Sequence, residues 1–541
     1  MRRCLTLCWL LLAVAAVCSA KDIYIAQSVA GRGDGADCAN ALAYTFFNDS
    51  ANWGNGAAQI GAGTTVHLCG VITTFNGSTY DYLTLRGSGA SGQPITLKWE
   101  PDARLSVPTC GAGSCILFSG KSYLVFDGGS NGVVEETDNG SALGHQDRHT
   151  ALSGRPCNHC EFKNLALRNI YVHSLASDDI GADGLTVSGP GISMHHMSCT
   201  HASGCFTISV SGADDTVEMY NLDSDNTNHC LTIAANGAGY ALLSARIHDN
   251  NCHDFANWDT TSNAFHHDGI HIYALNGAAF RDIQVYNNLF GGDPGVNVTS
   301  FIYATGDISS SFFFNNVLLT PADKYFNNGA LCVGGSGIAI YNNLILGGTT
   351  ASGLCLAASG TGIAVRNNIV GRCSGLISLA AGTTFVDRGL DHNVYGPGQN
   401  WKNGATFYYA LDQWKAASGE GAHSLTAADL KVDSSGRPQP GSPAINAGAN
   451  LSYHALAALN ADKIGDPRSA CSAWDAGPYN HFPGPIAAGD LLPQIQPRRG
   501  VIVKPGTRSW VRGTTKSGEP ALSLPKETLW LCGLRASPGG A

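Results

Sequence analysis

FFNNVLL at 313–319, IYNNLIL at 340–346 and VRNNIVG at 365–371 are three renderings of one pattern: an apolar residue, any residue, a pair of asparagines, then a mostly apolar trio. Outward from these copies, the opening triplet of an apolar residue, any residue, then Asn, Asp or His recurs. It begins at Leu167, Met194, Met219, Ile247, Val285, Phe313, Ile340, Val365 and Leu390. Its polar members are Asn169, His196, Asn221, Asp249, Asn287, Asn315, Asn342, Asn367 and His392, at spacings of 27, 25, 28, 38, 28, 27, 25 and 25 residues. A period of 25 to 28 residues is too short for paired-helix repeats and too irregular for a propeller blade. It suits one rung of a parallel β-solenoid, in which each turn of chain stacks on the last. The apolar member then builds an interior ladder. The polar member sits at a bend, where its side chain hydrogen-bonds from rung to rung as in other stacked β systems.

A second column gives the same register. Strands begin DGLTV at Asp183, GCFTI at Gly204, HCLTI at His229 and DGIHI at Asp268. Alternation sends Leu185/Val187, Phe206/Ile208, Leu231/Ile233 and Ile270/Ile272 inward and places Thr186, Thr207, Thr232 and His271 in one outward column. Cys205 and Cys230 then fall at equal positions on adjacent rungs, near enough to pair or to stack.

Composition agrees with an all-β chain: 67 glycines, 4 methionines, 13% charged residues, and short Val/Ile/Phe strands between Gly, Asn and Ser. A net charge of −9 argues against nucleic acid as a partner. The opening MRRCLTLCWLLLAVAAVCSA has two arginines, an apolar run and small residues before Lys21, which reads as a signal peptide over 1–20 and an exported protein. In an oxidising compartment most of the remaining cysteines pair, with Cys38–Cys69, Cys110–Cys115 and Cys157–Cys160 the local candidates. The expected organisation is an N-terminal cap and first rungs over 21–120, the main solenoid over 121–400, C-terminal rungs and a closing cap over 401–485, and a disordered tail over 486–541, where basic residues, Gly and Pro replace the rung pattern.

The NN bends, the segment GSGASGQPITLKWEPDARL at 87–105, the DGI strand starts, and the closing GSPAINAGAN at 441–450 with GDPRSACSAWDAGPYNH at 465–481 together resemble secreted proteins of the pectin-lyase-like superfamily. The resemblance implies a single-stranded right-handed parallel β-helix. It leaves activity open, because that superfamily holds polysaccharide lyases, glycoside hydrolases, epimerases and adhesins. Polygalacturonase-like hydrolases of the fold carry Asn-Thr-Asp-Gly, an Asp-Asp pair before a cysteine, and Gly-His-Gly. Here the places read Gly-Ala-Asp-Gly at 181–184, Ser203-Gly204 before Cys205, and Asn228-His229-Cys230. Two of the three acids are missing, so that mechanism does not carry over.

Departures from the Asn, Gly and Thr that rungs need mark the candidate site. Between Ser174 and Asp323 lie 16 acidic residues, only Arg246 and Arg281 as basic ones, and nine of the 18 histidines. The longest spacing also falls there, with the insertion NCHDFANWDTTSNAFHH leading into Asp268. Such insertions wall binding faces. Phe255 and Trp258, with Tyr273 on the outward column, are the candidate sugar-stacking rings. His229 and Asp268 lie on neighbouring rungs and form a candidate His–carboxylate dyad, with His267, His271 and Asp225 in reach. Asp183 is an equivalent strand start three rungs from Asp268. That is about 14 Å, beyond the roughly 5–9.5 Å of a glycosidase pair. Arg246, outward by parity, is a candidate base for β-elimination, as is His229. Elimination on a uronic acid calls for a cation, and calcium is the ion the resemblance implies. His267 and His271, at i and i+4 on one strand face, are the pair with metal-ligand spacing. The bland readings stand beside these: His196 and His392 as bend residues, and Asp183 as a turn residue before glycine. The expected function is binding and cleavage of an extracellular polysaccharide, by lyase or hydrolase chemistry. The other reading is a non-catalytic adhesin or surface glycan-binding protein. A monomer is expected, and a trimer stays open.

Overall fold

The computed structural model of the chain describes residues 21–481, apart from 74–82, 111–112, 140–148, 173–180, 215, 256–265, 296–297, 322–325, 327 and 350–352. The expected signal peptide, the tail and Trp258 lie outside the described residues.

The chain winds into a single-stranded parallel β-helix, with the right-handed sense that parallel crossovers take. Each rung carries three faces. The first holds Asp183–Val187, His267–Leu275, Val298–Gly306, Leu331–Ser336 and Leu354–Thr361. The second holds Ala245–His248, Ile283–Tyr286, Phe312–Phe314, Ala339–Tyr341 and Ile363–Arg366. The third holds Asn251–His253, Leu289–Gly291, Val317–Leu319, Leu344–Leu346 and Ile369–Gly371. Two long strands, Ile192–Ser209 and Val217–Asn236, bend continuously through second, third and first faces.

The apolar triplet members stack as Met194, Met219, Ile247, Val285, Phe313, Ile340, Val365 and Leu390, in parallel register and buried. The register corrects the first repeat. Met194 pairs with Phe162 and not with Leu167, which lies opposite Cys199 on the third face. Asn164 is therefore the bend residue of that rung, and Asn169 belongs to a separate column with His201.

The bend column is a column of left-handed backbone. From His196 to His392 its φ values lie between 52° and 60°. Such a conformation costs most side chains about 1–2 kcal/mol, and Asn or Asp least among those with a side chain. That is why this column reads Asn, Asp or His. The rung-to-rung amide ladder expected here is displaced by one residue. Asn250, Asn288, Asn316, Asn343, Asn368 and Asn393 are fully buried or nearly so, and each Nδ2 donates to the next Oδ1 at 3.0 Å from Asn250 to Asn393.

Cys38–Cys69, Cys110–Cys115 and Cys157–Cys160 are bonded as expected, and Cys199–Cys205 and Cys355–Cys373 join them. Cys205 thus bonds within its own turn and not to Cys230, which remains a buried thiol. Beyond the helix Leu411–Ser418 the chain runs back along the outside of the rungs. Leu451, Leu459 and Trp474 cover Phe314 and Tyr341 on the second face, while Leu430, Ala444 and Tyr479 cover Leu344 and Ile369 on the third. The first face is left to other uses. No helix among the described residues is long and apolar enough to cross a membrane.

Candidate functional site

The candidate site forms where strands of the first face begin. Asp183, Gly204, His229, Asp268 and Ser300 occupy one ladder position on successive rungs. The next position is Gly184, Cys205, Cys230 and Gly269, and it points inward. Both cysteines are fully buried, and a Cβ on Gly269 would meet Phe301 O at 2.4 Å and Phe290 Cε1 at 2.6 Å. The residue after it is also inward: Leu185, Phe206, Leu231 and Ile270 are buried. Two inward residues in a row switch the alternation, so the residue before the pair turns outward. His229 and Asp268 are aimed away from the core this way, and two residues before Asp268 the outward position falls on His266.

Asp268 is the centre of the resulting cluster. Its Oδ2 lies 3.1 Å from His266 Nε2, 3.5 Å from His229 Nε2 and 3.6 Å from His271 Nδ1. Its Oδ1 accepts from the Ser300 backbone N–H at 3.1 Å. The carboxylate is fully buried, His229 and His271 are mostly buried, and the His266 side chain is 49% exposed at the mouth. The His229 and His271 rings stack at 5.4 Å, with His266 edge-on to both. Tyr273 and Tyr303 flank His271 at 4.9 and 5.3 Å. Burial alone would raise the Asp268 carboxyl, but His229 and His266 more than offset it and hold the group below its ordinary value. The contact with Asp268 raises His266 above the usual histidine value, whereas burial pushes His271 down to about 4.

The structure thus joins His229, Asp268 and His271, and sets Tyr273 beside them. The other candidates are placed differently. His267 falls on the opposite parity, is fully buried, and is replaced in the cluster by His266. Phe255 is fully buried against Phe301 and is core, not a sugar platform. Arg246 faces outward as its parity requires, but on the second face, where Nη2 pairs with Asp282 at 2.8 Å and Nη1 bonds Ser244. Asp225 lies on the third face, paired in register with His253, and accepts from Thr200 and Asn226. Asp183 sits two rungs from His229, accepts from Thr186 Oγ1 at 2.9 Å, and is raised by burial. Gly204, between Asp183 and His229, leaves a notch: a Cβ there would meet Asp183 Oδ1 at 2.8 Å.

Around the turn, on the third face, a cavity of about 510 Å³ is lined by His253, Asp254, Phe290, Leu319 and Pro321. Its lining holds one ionisable pair, whereas three imidazoles converge on the Asp268 carboxylate, so the candidate site is the cluster. Three imidazole nitrogens and one carboxylate oxygen suit a transition ion and not calcium, which takes six to eight oxygens.

No protein-family model matches the chain, and no curated protein does. Among solved structures, it is similar to a GH136 lacto-N-biosidase from Eubacterium ramulus at 10% identity, covering 71% of this chain and 67% of that one with a TM-score of 0.42. It is similar to pectate lyase Pel9A at 13% identity, covering 85% and 96%, TM-score 0.39. A tailspike protein of E. coli bacteriophage HK620, solved with a pentasaccharide, matches at 9% identity, covering 67% and 73%, TM-score 0.39. The fold assignment rests on the ladder register described above.

Proposed function

We propose that the protein is an exported carbohydrate-active enzyme that cleaves an acidic extracellular polysaccharide by β-elimination at the first-face cluster. The observation that carries this reading is a single buried carboxylate faced by three imidazoles on an outward strand face. Paired-carboxylate hydrolysis needs a second acid at roughly 5–9.5 Å. Asp183, the other acid of this column, is three rungs from Asp268, about 14 Å away. An imidazole oriented by a carboxylate is instead a proton acceptor for neutral pH.

In this reading His229 takes the proton alpha to a uronate carboxylate, and Asp268 acts as a positioning residue that fixes the imidazole. The C–H bond electrons form the new C=C bond as the glycosidic C–O bond breaks, the abstracted proton stays on His229, and the leaving oxygen takes a proton from water at the open mouth of the cluster. His266, half-exposed at the mouth, meets the substrate. The five disulfides among the described residues and the N-terminal apolar run favour export.

The test is a panel of acidic and neutral polysaccharides. Ultraviolet absorbance from an unsaturated product supports elimination. Reducing ends without it indicate hydrolysis, and pull-down with neither indicates a binding protein; either result overturns the proposal. In His229→Ala the rate falls about 100-fold or more if this imidazole is the base.

A further inference from the structure

The four side chains at Asp268 also match a ligand other than the calcium that elimination on a uronic acid calls for. We propose that His229, His266, Asp268 and His271 form a binding site for a four-coordinate transition-metal dication, zinc in the first place.

The donor set comes first. Neutral imidazole nitrogens and one carboxylate oxygen are ligands of zinc and its neighbours in the first transition row. Spacing comes second. Zinc–nitrogen and zinc–oxygen bonds of about 2.05 Å give a tetrahedron with edges of about 3.3–3.4 Å. The three edges that radiate from Asp268 Oδ2 are 3.1, 3.5 and 3.6 Å. All four donor atoms lie within 4.8 Å of one another, so the imidazoles close on an ion by small ring rotations. Third, Asp268 Oδ2 is buried and faces three imidazoles without a well-aligned hydrogen bond, while Oδ1 is fixed by Ser300 N–H. A carboxylate held by one oxygen and aimed by the other into a set of imidazoles has the outer-shell support of a metal ligand.

The other histidine cluster shows the contrast. At Asp391, His392 and His423 the donors are already used. Asp391 Oδ2 takes His423 Nδ1 at 2.7 Å, its Oδ1 takes two backbone N–H groups, and His392 Nδ1 faces Ala447 O.

An ion and a proton compete for the same imidazole lone pair. On the reading of His229 as base, and resting on it, the zinc-loaded protein is therefore the inactive form and a chelator activates it. This is opposite to an enzyme that depends on calcium. Binding itself is measured on the protein alone and does not depend on that reading.

The experiment uses the full exported chain, produced without a polyhistidine tag, stripped with chelator and titrated with zinc by calorimetry, with metal content measured after gel filtration. The expected result is one tightly held zinc per chain, a raised thermal midpoint, and no competition from a large excess of calcium. Asp268→Asn keeps the carboxamide oxygen for Ser300, and His266→Ala changes a half-exposed side chain. Each is expected to weaken binding about 100-fold or more. Cobalt in place of zinc gives the intense visible bands of tetrahedral coordination. Absence of stoichiometric zinc, or a bound zinc that survives both substitutions, overturns the proposal.

Discussion

His266 reaches Asp268 because two successive residues after Asp268, Gly269 and Ile270, both face inward. The inward pair Gly269–Ile270 switches the strand's alternation, and the same pair recurs as Gly184–Leu185, Cys205–Phe206 and Cys230–Leu231. Strict alternation carried back from His271 selects His267, which is buried; the recurring small-then-large apolar pair was the signal that selects His266. The column of His229 and Asp268 was legible because strand starts repeat in sequence. The cluster's third imidazole was not, because a parity switch hides in residues that look like ordinary core. Gly269→Ala tests this. The added Cβ meets Phe301 O at 2.4 Å, so the strand start must move. We expect a cost of roughly 1–3 kcal/mol in urea unfolding together with loss of activity at the cluster, whereas Ala at Gly212, where a Cβ meets nothing within 4 Å, leaves activity unchanged.

At the scale of the element, two neighbouring asparagines do different work. The first of each pair accepts a left-handed backbone, and the second builds the buried ladder. The period was readable from the first, since its apolar and polar neighbours repeat with it. The ladder was misplaced by one residue because both positions are Asn in the clearest rungs. Asn316 donates to Asn343 Oδ1 and Val285 O, and accepts from the amide and backbone N–H of Asn288. Asn316→Ala strands several buried polar groups at about 1–3 kcal/mol each. It should lower the urea midpoint far more than Asn221→Gly, which relieves a left-handed residue at an exposed bend. The third face carries a pH-dependent contact. His253 is raised to about 9 by Asp223, with Asp254 adding to it. Its folded value exceeds its unfolded one, so its contribution is complete below the ordinary histidine value of about 6.5 and is lost as pH rises through about 9. The stability difference between the wild type and His253→Gln, followed by urea unfolding across that range, should shrink as pH rises. A difference that grows with pH contradicts the assignment.

Over the described residues, the arrangement is a regular scaffold whose second and third faces are covered in part and whose first face carries the candidate cluster. The C-terminal return over 430–481 closes the second and third faces through Leu451, Leu459, Trp474 and Tyr479, and Lys463 reaches into the solenoid to bond Asn287 O. The sequence reading of C-terminal rungs and a closing cap over 401–485 did not say where this segment goes, because many of its contacts lie more than a hundred residues away. The same long-range geometry separates Arg246 from His229: both face outward, on different faces of one rung. In the proposed function, chemistry occurs at the Asp268 cluster on the first face. The most direct test of this claim is the rate of unsaturated-product formation from a uronic acid polymer by the wild type and by Asp268→Asn, compared at equal thermal stability. The account predicts unsaturated product from the wild type and a fall of about 100-fold or more in the variant. Cleavage at an undiminished rate by Asp268→Asn would contradict it.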